Sequence, residues 1–206
     1  MVTRDLKALA LNGTLKSSAD GVSSTDRMID LLLEELRHQD VRGSTLRLAD
    51  HDIRPGVTSD EGEGDAWPTI RSQVLSCDIV IFGTPVWMGQ PSSVIKRALE
   101  RMDAFISEKD DGGRMPSYGK VAIVAVVGNE DGAHHVSAEI YQAANDVGFS
   151  LAPNAVAYWV GDAMGSTDFR DLDEIPDTVA GAVKMAARSA AHLARLLRAN
   201  PYPDVN

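Results

Sequence analysis

Three short stretches hold the groups that could do chemistry, and each has its own character. Residues 12–25 read Asn-Gly-Thr-Leu-Lys-Ser-Ser-Ala-Asp-Gly-Val-Ser-Ser-Thr. Hydroxyls, two glycines and one lysine ahead of a helix start suit an anionic ligand. Unbonded amides, the helix dipole and hydroxyl donors would meet a phosphate, with Thr14, Lys16, Ser24 and Thr25 as the contacts. The same composition also serves a plain polar loop with a Ser or Thr cap. Neither a Walker A sequence nor a Gly-x-Gly-x-x-Gly fingerprint is present, which argues against a nucleoside triphosphatase or a standard dinucleotide-binding dehydrogenase. Residues 84–91, Thr-Pro-Val-Trp-Met-Gly-Gln-Pro, form a stiff apolar wall that matches a flat aromatic ligand. Packing of Trp87 into the core or a subunit contact is the alternative. Residues 128–134, Gly-Asn-Glu-Asp-Gly-Ala-His, allow close backbone approach and open a helix whose N-terminus favours negative charge. His134 and His135 are adjacent and point in different directions, so they read as surface or capping residues and no metal site is expected. No side chain stands out as a nucleophile or a catalytic acid.

Strands and helices alternate around these stretches. A strand is expected at 6–11, then a helix from Ser24 ending before Gly43, a short strand at 44–48, and a polar connection at 50–65 that is either functional or disordered. The pattern continues with a helix at 67–76, a strand at 78–82, and a helix from 91 that carries Ile95, Leu99, Met102 and Phe105. A hydrophilic excursion at 107–118 precedes the strand 121–127. A helix at 133–147, a strand at 156–160 and a helix at 178–198 complete the series. Residues 121–127 are apolar on both faces, the mark of a central strand in a parallel sheet covered by helices. Five strands in the order 2-1-3-4-5 put the most apolar strands inside, giving a doubly wound α/β sheet with helices on both faces, and all three chemical stretches at the carboxyl ends of strands. No composition shift marks a second domain, so 1–206 reads as one.

The 206 residues are 44% hydrophobic and have a formal net charge of −10, enough for one core and unfavourable for nucleic acid phosphates. One cysteine, Cys77, precludes an internal disulfide and a cysteine-ligated zinc site, and suits a reducing cytoplasm. The opening residues and the apolar stretch 8–11 are too short for a signal or membrane segment, so no membrane insertion is expected.

At the three loops the chain resembles the flavodoxin-like, NAD(P)H-dependent FMN reductase group, which includes quinone reductases and iron–sulfur flavoproteins. The resemblance rests on residues 8–16 with Ser24 and Thr25, on 83–93 with Lys96 and Arg101, and on 128–133. It implies FMN, with phosphate at Thr14, Lys16, Ser24 and Thr25. Pro85, Val86, Trp87 and Met88 would line the ring, and Asn129, Glu130, Asp131 and Gly132 would approach its other edge. NADH or NADPH would be the hydride donor, and a quinone, flavin or similar small molecule the acceptor. A flavodoxin-like electron carrier docking to a protein redox partner is the alternative, and a flavin-free binding module a third. A homo-oligomer, dimer or tetramer, is expected. A preference for NADPH would need a basic contact for its extra phosphate, for which Arg114 or Lys109 is available, ordinary solvated charges being the alternative for both. The chain departs from the group in its longer phosphate loop, where Asp20 would repel phosphate unless turned away, and in offering Lys16 where the group often has arginine. The lone Cys77 argues against the iron–sulfur branch and is expected to be buried.

Overall fold

The computed structural model describes residues 5–205. The parallel strands are β1 (Leu6–Asn12), β2 (Val41–Arg47), β3 (Ile79–Trp87), β4 (Val121–Gly128) and β5 (Ser150–Val160), and a two-residue strand, Gln90–Pro91, pairs antiparallel with the end of β3. They pair in parallel in the order 2-1-3-4-5, as the apolar pattern requires. The helices are α1 (Ser24–Arg37), α2 (Trp67–Leu75), α3 (Ser93–Met102), α4 (Ala133–Asp146) and α5 (Asp177–Ala199). Alternation along β4 feeds two cores. Val121, Ile123, Ala125 and Val127 face α1 and α5, which contribute Met28, Ile29, Leu32 and a run of small residues including Ala186, Ala187 and Ala190. Ala122, Val124 and Val126 share the other core with Trp67 and Ile70 of α2, Ile95 of α3, and Val136 and Ile140 of α4. No helix among the described residues is long and apolar enough to cross a membrane. Residues 1–4, part of the basis for expecting no targeting segment, lie outside the described residues.

The structure departs from the sequence pattern where packing overrides it. Strand β2 starts at Val41 although four consecutive residues, 42–45, are exposed, as suits an edge strand. Gly43 sits inside it because a Cβ there would fall 2.4 Å from the Leu33 side chain of α1. Strand β5 begins at Ser150, not 156, and its register slips opposite Ala122 and Val124, where Asn154 takes a left-handed φ of 54°. Helix α3 ends at Met102, and Phe105 is buried from a following 3-10 turn, Asp103–Ile106.

The connection at 50–65 is ordered. Arg101 of α3 and Asp65 pair at 2.7 Å with both side chains fully shielded from solvent. The same guanidinium donates to Thr58 O at 2.9 Å and Arg54 O at 3.0 Å, and lies over the Trp67 ring. Burial alone would raise the Asp65 pKa. The Arg101 hydrogen bond and those from the backbone N–H groups of Glu61, Trp67 and Arg54 outweigh it and hold the carboxyl well below the usual range.

Candidate functional site

The carboxyl ends of β1, β3 and β4 bring the three stretches together. After β1, the Asn12 side chain accepts from Thr14 N at 2.9 Å and donates to Asp26 Oδ1 at 2.6 Å, tying the start of the first loop to α1. Gly13 N donates to Gly83 O at 2.7 Å, and the Ser92 hydroxyl donates to Gly13 O while capping α3 by accepting from Ile95 N at 3.2 Å. Helix α1 opens with a capping box in which Asp26 Oδ2 accepts from Ser23 N and Ser23 Oγ, and Ser23 Oγ accepts from Asp26 N. Asp20 is turned into its own loop, accepting from Ser17 N at 2.9 Å and Ser17 Oγ at 2.8 Å, and Asp50 accepts from Ser18 N at 2.7 Å.

The second stretch is a β-hairpin. Trp87 at the end of β3 pairs antiparallel with Gln90 of the two-residue strand Gln90–Pro91, and the turn residues Met88 and Gly89 both have positive φ, 52° and 73°. A turn with both central residues left-handed matches the twist of paired strands. Glu130 of the third stretch holds the tip, accepting from Met88 N at 2.9 Å and Gly89 N at 3.2 Å. Gly132, with φ 130°, makes the approach of the two loops possible, since a Cβ there would meet Gly89 Cα at 2.9 Å. Asn129 faces the other way, donating to Gly165 O at 3.3 Å and Asp168 Oδ1 at 3.2 Å. The third stretch thereby links the hairpin to the chain after β5.

The twelve residues singled out in the sequence take different places. Thr14 is buried against the loop, while Lys16 is exposed. Among the described residues the Thr14 hydroxyl and the Lys16 ammonium have no hydrogen bond or ion pair, so both are uncommitted donors. Ser24 Oγ accepts from Arg170 N at 3.2 Å, and Thr25 is buried with its methyl toward Gly83. Pro85 is half-buried, and Val86 is buried against Gly128. Trp87 and Met88 project from the hairpin, 50% and 89% exposed, and Leu15 of the first loop is 48% exposed at the same end of the sheet. Asp131 is exposed, and its Oδ1 accepts from Gly132 N at 2.7 Å. His134 stacks edge-on with Tyr158, and His135 pairs with Glu139 at 2.9 Å, both on the surface.

Arg114 is not near these loops. It pairs with Asp110 at 2.9 Å and lines, with Lys109, Tyr118 and Tyr202, a cleft at the amino ends of the strands, a placement that suits the alternative of ordinary surface charges. Tyr202 marks that end through its contact with Ser150, the first residue of β5. Cys77 is buried. Desolvation pushes its thiol pKa up, so it is a core residue.

Sequence reasoning missed Arg47, Asp26 and Ser92. The Ser23 to Asp26 spacing of a capping box was available to signal Asp26. Nothing local in β2 announces that Arg47 reaches the first loop.

The family model described as NADPH-dependent FMN reductase matches residues 6–163. The chain is 35% identical over 170 residues to a divalent metal cation transporter of Mycobacterium bovis. That match covers 81% of the chain and spans only 25% of the transporter's length. It is 30% identical to the 8-demethyl-8-aminoriboflavin-5′-phosphate synthase of Streptomyces davaonensis, over 96% of the chain and 80% of the synthase. Among solved structures, RosB with the bound intermediate 8-demethyl-8-formylriboflavin-5′-phosphate superposes with a TM-score of 0.85 at 30% identity, covering 96% of the chain and 82% of RosB.

Proposed function

The chain belongs to the NADPH-dependent FMN reductase family, and from that membership we propose that it is an FMN-dependent oxidoreductase that draws hydride from NAD(P)H. The family's cofactors are FMN and NAD(P)H. The observation that supports this most directly is the meeting of two complementary surfaces. Uncommitted donors at Thr14 and Lys16 adjoin α1, and an exposed apolar hairpin tip at Trp87 and Met88 stands across the same strand ends. A phosphate needs the first and a flat heteroaromatic ring the second, so the residues fit FMN. Bound there, FMN would supply the redox chemistry, accepting hydride and passing electrons to a quinone, flavin or similar small molecule.

The chain's own residues bind, orient and exclude water. Thr14 and Lys16, with Ser24 at the first turn of α1, hold the phosphate. Trp87, Met88 and Pro85 wall the ring, and Asp131 and Gly132 border its other edge. Thr25, Val86, Asn129 and Glu130 act from behind: Thr25 and Val86 pack under the loops, Glu130 fixes the hairpin tip, and Asn129 fixes the chain after β5. No side chain is assigned a proton transfer. We further place the protein in the cytoplasm as a single-domain homo-oligomer acting on a small acceptor.

The likeness to the synthase and to RosB favours a second possibility, in which a riboflavin-5′-phosphate compound is the substrate and is itself altered. Two incubations separate the two: FMN with NADPH or NADH under anaerobic conditions, following nicotinamide absorbance, and FMN in air with an added amino donor, following the flavin's mass. Nicotinamide oxidation in the first, with FMN gaining two hydrogens that it loses again in air, and an unchanged flavin mass in the second are expected. A changed flavin mass would favour the synthase-like chemistry, and FMN binding without nicotinamide oxidation an electron carrier.

A further inference from the structure

Arg47, the last residue of β2, is placed at the first loop yet has no part in the contacts assigned above. Its guanidinium donates to Ser17 O at 2.8 Å and Gly21 O at 2.9 Å, and its other nitrogen pairs with Asp26 Oδ2. The pair is mostly sheltered, with side-chain exposures of 10% for Arg47 and 16% for Asp26. Asp26 is the carboxylate nearest the start of α1, where its unpaired charge would repel an incoming phosphate. Asp20 and Asp50 add charge nearby but are spent on the N–H groups of Ser17 and Ser18. Lys16, in contrast, is left without a partner among the described residues.

We propose that Arg47 is a positioning residue for the flavin phosphate, cancelling the Asp26 charge and drawing the loop carbonyls of Ser17 and Gly21 to itself, so that Lys16 and the loop's remaining donors serve the ligand. The inference rests on the FMN reading of this site. It assigns the family's arginine chemistry to a residue that never touches the phosphate: one planar fork binds three acceptors, which an ammonium cannot do in the same geometry.

The test is a titration of flavin-stripped full-length protein with FMN and with riboflavin, comparing wild type with Arg47→Met, Arg47→Lys and the double variant Arg47→Met/Asp26→Asn, each checked for fold by circular dichroism. Arg47→Met is expected to lower the ratio of FMN to riboflavin affinity by about tenfold. Arg47→Lys is expected to lower it less, and the double variant to regain part of the loss of Arg47→Met because the stranded charge is gone. Equal weakening of both flavins, or a double variant no better than Arg47→Met, would overturn the inference and leave the FMN reading intact. If Arg47→Met does not fold, an unchanged ratio in Arg47→Lys overturns it. A wild-type protein that holds FMN no better than riboflavin overturns both.

Discussion

Arg101 and Arg47 each pair with an aspartate and each gather the backbone carbonyls of a loop, yet they stand in different surroundings. Arg101 and Asp65 are fully shielded and close the 50–65 connection onto α3. Arg47 and Asp26 keep some exposure and lie among the loops at the strand ends, beside Lys16 and Thr14. A buried ion pair gains little over an apolar replacement of the whole pair, but losing one partner strands a charge. A pair that keeps some exposure costs less to break and leaves more of its effect to the field it sets up around it. The comparison teaches that one arginine serves the fold and the other the site.

The largest effect expected from breaking this comparison is on stability. Arg101→Met should cost about 3–5 kcal/mol by leaving Asp65 charged and buried, seen as a lowered denaturation midpoint, while the FMN to riboflavin ratio of the folded fraction stays unchanged. A shift in that ratio would show that the two regions are coupled. Acid should act through the same pair. The Asp65 pKa is depressed in the folded chain, so its contribution is complete above the unfolded aspartate value of about 3.9 and is lost as pH falls below that. In Arg101→Met this acid dependence should flatten, measured by thermal unfolding from neutral pH to below pH 4.

On the site side, Thr14→Ala with Lys16→Ala should weaken FMN by about tenfold and leave riboflavin nearly unaffected. Equal weakening would move the phosphate elsewhere. Trp87→Ala should change the spectrum or affinity of both flavins alike with little change in stability, because half of that side chain is already exposed. An unchanged holo-spectrum and affinity would remove the hairpin from the site.

The sheet was legible because periodicity reports burial directly. The doubly apolar run of β4 and the turns at Asn12 and Gly128 placed the three loops at one end without any tertiary information. What escaped depends on partners distant in sequence. Arg101 meets Asp65 across 36 residues and Arg47 meets Asp26 across 21, so neither pair leaves a local pattern, and the ordered course of 50–65 follows from the first. The stretch at Met88 was read as a stiff apolar wall and not as a hairpin, since its two left-handed residues are visible only in the backbone. In the same way, the hydrogen bonds by which Glu130 and Asn129 brace neighbouring loops join residues distant in sequence and leave no local pattern.

The most direct test is to strip the wild-type protein of flavin and titrate it with FMN, with riboflavin as control, following fluorescence and absorbance. Saturable binding of FMN, much tighter than riboflavin, is expected if the uncommitted donors at Thr14 and Lys16 take the phosphate. Absence of saturable FMN binding to correctly folded protein would contradict the assignment of these loops to a flavin and leave only the fold standing.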